Sequence, residues 1–439
     1  MKKNFKVGFI LILLTAFVLT GVAIVVGGGK EGGAGADKPL EGVKLKAIAV
    51  SNPEMLAVRK YLPEFKEKTG IDVTMEAHPY PDARIKIIFD AKSGKAAYDV
   101  YWVDCIWVGE MSPYLTPMED FVANDADEIK MDDFLPNVAS ELATWDNTLY
   151  AMPITPYFHA LVYRKSLLKA AGIKVPTTFD ELRDAAAKLN NPDDGVYGIT
   201  FNLKRGDSIA QSYFEYIWNF GGSYLDANNR PLFDRPASIE FMEWLVSMLP
   251  YTPPDRFETD WFVRAEAFQQ GRVAMVLCWN LFWPMYEDPE KSKVVGDVGW
   301  SLWPTKPGVK RVQPLGGWAV GINKATKKQE AAWEFVKWLT GPEFQKTFVG
   351  ECGGMPARYS SIQDPSISSR PENAWFPFLE KSAPYILPNW RPKIPESADI
   401  HEILARYMSE ITTGSMSPEE GMKAANKEIE QVLKDAGYF

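Results

Sequence analysis

The chain has 439 residues, of which 46% are hydrophobic and 24% charged, and it carries 15 tryptophans. That length suits two domains better than a single core. The formal charge is −9, and residues 1–36 hold four lysines and one glutamate, so the remainder carries −12 and nucleic acid or another polyanion is a poor partner for it.

Lys2, Lys3 and Lys6 precede an apolar run from Val7 to Val26, and "GGGKEGGAGADKP" follows. Basic, apolar, then small residues is the order of an export signal, and the run is also long enough to span a membrane. Ala34-Gly35-Ala36 offers a cleavage site, while no cysteine follows for lipid attachment. A cleaved signal and an uncleaved anchor both fit residues 1–41, with the glycine-rich stretch as a tether or a discarded junction. Either places the rest of the chain outside the cytoplasm, at the periplasmic or extracellular face of the membrane.

"VKLKAIAV" (Val43 to Val50) predicts a first strand. Met55, Val58, Leu62 and Phe65 then recur at helical spacing. Pro63 is expected to break or kink that helix, and Gly70 to end it. "IDVTM" predicts a second strand and "YDVYWVD" (Tyr98 to Asp104) a buried third, a βαβ order that points to an α/β lobe. Thr178 with Glu181, Thr326 with Gln329 and Ser417 with Glu420 each have the spacing of a capping box at a helix start. "VAMVLC" after Gly271 and "WAVGI" after Gly317 predict later strands.

Catalytic signatures are missing from the sequence: there is no GxSxG, HExxH or P-loop. The three cysteines and three histidines have no metal-binding spacing, and the favoured reading of the cysteines is buried free thiols. Neither a metal nor another cofactor is expected. What stands out is polar and aromatic residues at strand ends, where ligands bind in α/β sheets. Asp104 ends a strand; it suits a hydroxyl acceptor and equally a helix cap. Trp279 and Asn280 follow another strand, and a core role is as open for Trp279 as an exposed one. Trp218 sits at a helix end, where packing is the alternative. A flat ring beside Asp, Asn or Arg meets both needs of a pyranose, whose C–H face is apolar and whose rim carries hydroxyls.

"LPEFKEKTGIDV", "YAMPITPYFHALVYRKSLLKAAGIKVPTTFDEL", "EAFQQGRVAM", "GGWAVGINKATKKQEAAWEFVKWLTGPEFQ" and "GGMPAR" occur in this order. Together they make the chain resemble the extracellular solute-binding proteins, family 1, of ABC sugar transporters. The resemblance implies a type II periplasmic-binding-protein fold, with two α/β lobes and a ligand cleft between them. It implies crossings in "YAMPITPY", near "CWNLFWP" and near Leu339 to Gly341. That gives an N-lobe of 42–154 plus 285–340 and a C-lobe of 155–284 plus 341–439. It carries ligand contacts onto Asp104, Tyr157, Trp279, Asn280, Gly317, Trp318 and Arg358, with Glu54 as a weaker match; Trp218 stays a candidate from its place at a helix end. It implies a monomer that binds a sugar, of oligosaccharide size on the strength of its many aromatics. Such a protein delivers the sugar to a membrane permease driven by a cytoplasmic ATPase and catalyses no reaction. The alternatives are a glycerol phosphate, acidic oligosaccharide or polyamine cargo, and a secreted glycosidase. Arg358 is the one basic residue among the cleft candidates, which favours a neutral sugar.

Overall fold

β1 (Lys44–Val50) and β2 (Asp72–His78) pair in parallel, and β3 (Val100–Asp104) adds in parallel on the other side of β1. The structure, a computed structural model, describes residues 38–439. Its contacts divide the chain into Met1–Pro39 and Leu40–Phe439, and the fold below is that of the second unit. The export or anchor segment lies outside the described residues. Among the described residues no helix is long and apolar enough to cross a membrane.

Between β1 and β2 the chain is helical from Pro53 to Ala57, tightens to a 3-10 turn, and resumes as a helix at Leu62. Pro63 falls in the first turn of that second helix, where its missing N–H costs nothing. Gly70 ends it at φ 79°, a left-handed cap. Two two-residue strands, β4 (Thr144–Trp145) and β5 (Thr148–Leu149), make a small hairpin.

β6 (Met152–Arg164) joins two sheets. Its first half pairs with β10 (Leu315–Ile322), which lies antiparallel beside β3. Its second half pairs with β8 (Val273–Trp279) and β9 (Val298–Ser301), and β7 (Tyr197–Thr200) lies parallel to β8. The first sheet therefore reads β2-β1-β3-β10-β6, and the second is β6 flanked by β9 and by β8-β7. This is the two-lobed α/β architecture, and β6, which contains "MPITPY", passes from one sheet to the other.

A return near Asn280 to Pro284 would have put residues 285–314 with the first sheet. Instead β9 pairs with the second half of β6, and Asp297 fastens it there by accepting from Arg164 Nε at 3.1 Å and Ser166 N at 2.6 Å. The chain returns at β10. A departure at Leu339 to Gly341 would have put the helix Pro342–Cys352 with the second sheet. That helix stays on the first lobe because the Phe344 ring packs tilted against Trp338 at 4.0 Å and meets Tyr61 edge-on at 5.8 Å. The helices Ser397–Thr412 and Pro418–Asp435 close the second lobe against Asp207–Ile217 and Pro236–Met248.

Thr178–Glu181 and Ser417–Glu420 form the expected capping boxes. Thr326–Gln329 does not. The helix starts at Gln329, so Thr326 lies outside it; its hydroxyl donates to Asp99 Oδ1 at 2.5 Å, while Gln329 Nε2 donates to the Asn323 and Thr326 carbonyls. All three cysteines are buried free thiols.

Candidate functional site

Both sheets end at one cavity of about 480 Å³, within the usual range for a small-molecule site. From the first lobe it is lined by Asn52, Tyr80, Asp104, Tyr157, Gly316, Gly317 and Trp318. From the second come Asp207, Gln211, Trp261, Phe262, Trp279 and His401, and Arg391 sits between the two sets.

Asp104 ends β3 and does two jobs at once. Its Oδ1 accepts from Ile106 N at 3.2 Å, which caps the following turn, and its Oδ2 accepts from the Tyr80 hydroxyl at 3.1 Å. Antiparallel pairing sets Trp318 on β10 directly beside it. Trp318 is 4% exposed and meets Trp107 and Tyr80 edge-on at 5.5 and 5.9 Å. The ring is therefore both cavity wall and packed residue. Replacing Trp318 by alanine is expected to destabilise the protein by roughly 3–5 kcal/mol in urea unfolding, as well as to weaken ligand binding; a platform resting only on ligand would lose binding alone.

Gly317 has φ 131° and lies against β6, where a Cβ would stand 2.3 Å from the Thr155 carbonyl oxygen. Gly316 does something different: a Cβ there would meet the Arg391 guanidinium at 3.3 Å and the Trp279 ring at 3.7 Å. The first glycine lets two strands close. The second leaves room for two side chains to reach the cavity floor.

Tyr157 donates to Glu54 Oε1 at 2.5 Å, and Asn52 Nδ2 reaches both. Burial raises the Glu54 carboxyl pKa, with the Tyr157 and Asn52 hydrogen bonds opposing it. Glu54 thus orients a wall residue and does not itself line the cavity. Trp279, at the end of β8, rests its ring on the edge of buried His159 at 4.4 Å. Burial, then the Arg264 charge, hold the His159 pKa well below its ordinary value.

Besides Glu54, three expected site residues lie off the cavity. Asn280 is fully buried, and its Oδ1 accepts from Phe158 N at 3.1 Å, pinning β6 where it passes between sheets. Trp218 donates from Nε1 to the Trp390 carbonyl at 2.6 Å and packs behind the cleft. Arg358 is 0% exposed, lies over Phe134 at 3.7 Å, and donates to the Thr340 and Lys130 carbonyls and to Asp133. Burial lowers its pKa to about 10 despite Asp133.

The basic residue of the cavity is instead Arg391. It donates to Cys105 Sγ at 3.0 Å and Gln211 Oε1 at 3.4 Å, and lies 3.9 Å from Asp104. Burial opposes its charge, but the Cys105 sulfur and the Asp104 and Glu141 carboxylates more than offset this and raise its pKa. Asp207 opens the helix Asp207–Ile217 and meets His401 Nδ1 at 2.6 Å. Tyr80 stands just after β2, so the strand-end rule applied to every strand would have found it, whereas Asp207 comes only after the loop that follows β7. Arg391 and His401 come from the C-terminal part of the chain with no local signal. Among the described residues no cluster of side chains could hold a metal ion.

The family model for bacterial extracellular solute-binding proteins matches residues 49–346. A Sinorhizobium fredii protein called a "probable amino-acid ABC transporter periplasmic-binding protein" is 25% identical over 438 residues, 97% of each chain. The mannitol-binding protein of Pseudomonas aeruginosa is 27% identical over 343 residues, 74% of this chain and 77% of its own. Among solved structures, an ABC transporter solute-binding protein from Agrobacterium radiobacter in complex with ribitol is 32% identical. It aligns with a TM-score of 0.80 over 90% of this chain and 100% of that one. With two lobes, a cleft at their strand ends and a family match across most of its length, this chain belongs to the bacterial extracellular solute-binding proteins.

Proposed function

We propose that this chain is the extracytoplasmic substrate-binding component of an ABC importer and that its cargo is a neutral polyol or sugar. The observation that carries this reading is the pairing of a tryptophan from each lobe, Trp318 and Trp279, with Asp104, Gln211 and Arg391 around one cavity. The rings suit C–H faces, and the polar groups suit a rim of hydroxyls, each of which both donates and accepts.

Charge narrows the cargo. Asp104 and Asp207 oppose a phosphate or uronate, while Arg391 opposes a polyamine. The volume accommodates an acyclic polyol or a short oligosaccharide, and the mannitol and ribitol named for two relatives support the polyol end. In this reading the N-lobe takes about 40–157 and 315–358, and the C-lobe about 159–312 and 397–435. A ligand that touches both lobes selects the closed form, which then docks on the permease as a monomer. The basic, apolar, small order of the N-terminal residues supports export, with a retained anchor as one form of attachment.

A thermal-shift screen tests the cargo. Ribitol, D-mannitol, maltose or maltotriose at about a hundred times its dissociation constant should stabilise the protein by roughly 2.7 kcal/mol. A shift with amino acids alone would overturn the carbohydrate reading. Turnover of an oligosaccharide would overturn the non-enzymatic one.

A further inference from the structure

The segment Asn389–Lys393, "NWRPK", is bonded to both lobes within five residues. On the second-lobe side, the Tyr224 hydroxyl donates to the Asn389 carbonyl at 2.9 Å, and Trp218 Nε1 to the Trp390 carbonyl at 2.6 Å. On the first-lobe side, Trp390 Nε1 donates to the Leu315 carbonyl at 2.7 Å, where β10 begins. Lys393 then plunges into the first lobe. Its Nζ lies 3.0 Å from Glu141 Oε2 with both side chains fully buried, and it also donates to the Glu141 carbonyl. The same carboxylate accepts from Asn389 N at 2.7 Å. Glu141 therefore grips both ends of the segment, and the residue held between those ends is Arg391.

We propose that Glu141 and Lys393 are positioning residues for ligand recognition: the buried pair clamps the Asn389–Lys393 segment as a strap between the lobes and thereby aims Arg391 into the cleft. Three further features support a strap held in one register. Asn389 has φ 59°, a left-handed conformation that asparagine tolerates better than most residues. Gly109 lies so close to the Lys393 carbonyl that a Cβ would stand 2.1 Å from its oxygen, so the strap is seated against bare backbone. Arg391 Nε is buried without a partner, although the rest of the guanidinium is bonded to Cys105 and Gln211. An unpartnered buried donor at a cavity wall is a ready site for a ligand hydroxyl. A buried ion pair is weak evidence for stability as such, since an apolar pair of similar volume serves equally well. Here the pair has a geometric task that an apolar pair would not perform, because only the carboxylate can hold Asn389 N and Lys393 Nζ together.

This inference rests on the polyol or sugar reading of the cleft, and its test separates the two. D-mannitol and ribitol titrations would compare the native protein, Glu141→Gln, and Glu141→Leu combined with Lys393→Met, each with Arg391 intact and with Arg391→Met. The double replacement fills the site with apolar volume and keeps the test open if Glu141→Gln folds poorly. Loss of the clamp should weaken binding about tenfold when Arg391 is present and less than about twofold when it is methionine. The loss of thermal stability should be the same in both backgrounds. Hydrogen exchange of the ligand-free protein should speed up across Asn389–Lys393 while the helix Ser397–Thr412 keeps its protection. Equal binding losses in both backgrounds, or an unchanged strap, would overturn the proposal. If the native protein binds neither polyol, the cargo reading fails and the exchange measurement alone decides the strap.

Discussion

Gly317→Ala is expected to destabilise the protein by more than about 3 kcal/mol in urea unfolding and to abolish most ligand binding. Two costs combine. The residue has φ 131°, which L-residues rarely adopt, and an added Cβ would stand 2.3 Å from the Thr155 carbonyl oxygen and 2.9 Å from Pro156 Cα. Both neighbours are backbone of β6, so no side chain can swing away. β10 would have to leave β6 at the point where the pairing already slips between Trp318 and Ala319. Trp318 and the facing Asp104 would move with it. Gly316→Ala is the informative contrast. Its methyl would meet two side-chain tips, Arg391 Nη2 at 3.3 Å and the Trp279 ring at 3.7 Å. Binding should fall while the unfolding midpoint stays near that of the native protein. Equal stability losses from the two variants would show that the strand contact is not the reason for Gly317.

Arg358→Met should destabilise by about 3–5 kcal/mol, because it strips a buried hub of its donors. The Thr340 and Lys130 carbonyls and Asp133 would lose a partner together, and the stacking on Phe134 would go. The folded fraction should still bind ligand with nearly native affinity, since Arg358 does not line the cavity. Calorimetric titration at low temperature, beside a denaturant curve, distinguishes this from a cleft role. Lost affinity at full stability would return Arg358 to the site.

Much of the architecture was legible because its causes are local. β1, β2 and β3 read as strands from apolar runs set off by helical stretches and glycine stops. The capping boxes at Thr178 and Ser417 are contacts across three residues. The box expected at Thr326 does not form: its hydroxyl donates to Asp99 and accepts from Lys328 N, ahead of a helix that starts only at Gln329. Asp104, Tyr157, Trp279 and the glycine pair line the cavity, and the strand ends and glycine doublet that mark most of them are also local features. Arg358 was misplaced because its motif marks a turn, while Phe134 and Asp133, more than 200 residues earlier, decide which way its side chain points.

By itself the sequence determined the two α/β lobes and the family, since periodicity, caps and strand ends depend on neighbours a few residues apart. Only the tertiary structure decided that β9 stays with the second half of β6, that the helix Pro342–Cys352 stays beside the first sheet, and which basic group lines the cavity. Those outcomes depend on packing between segments distant in the chain: Phe344 on Trp338 and Tyr61, Asp297 on Arg164, and Lys393 on Glu141. Arg391 reaches the cavity because a strap more than 240 residues from Glu141 is seated on it, and no short-range pattern in the chain encodes that contact.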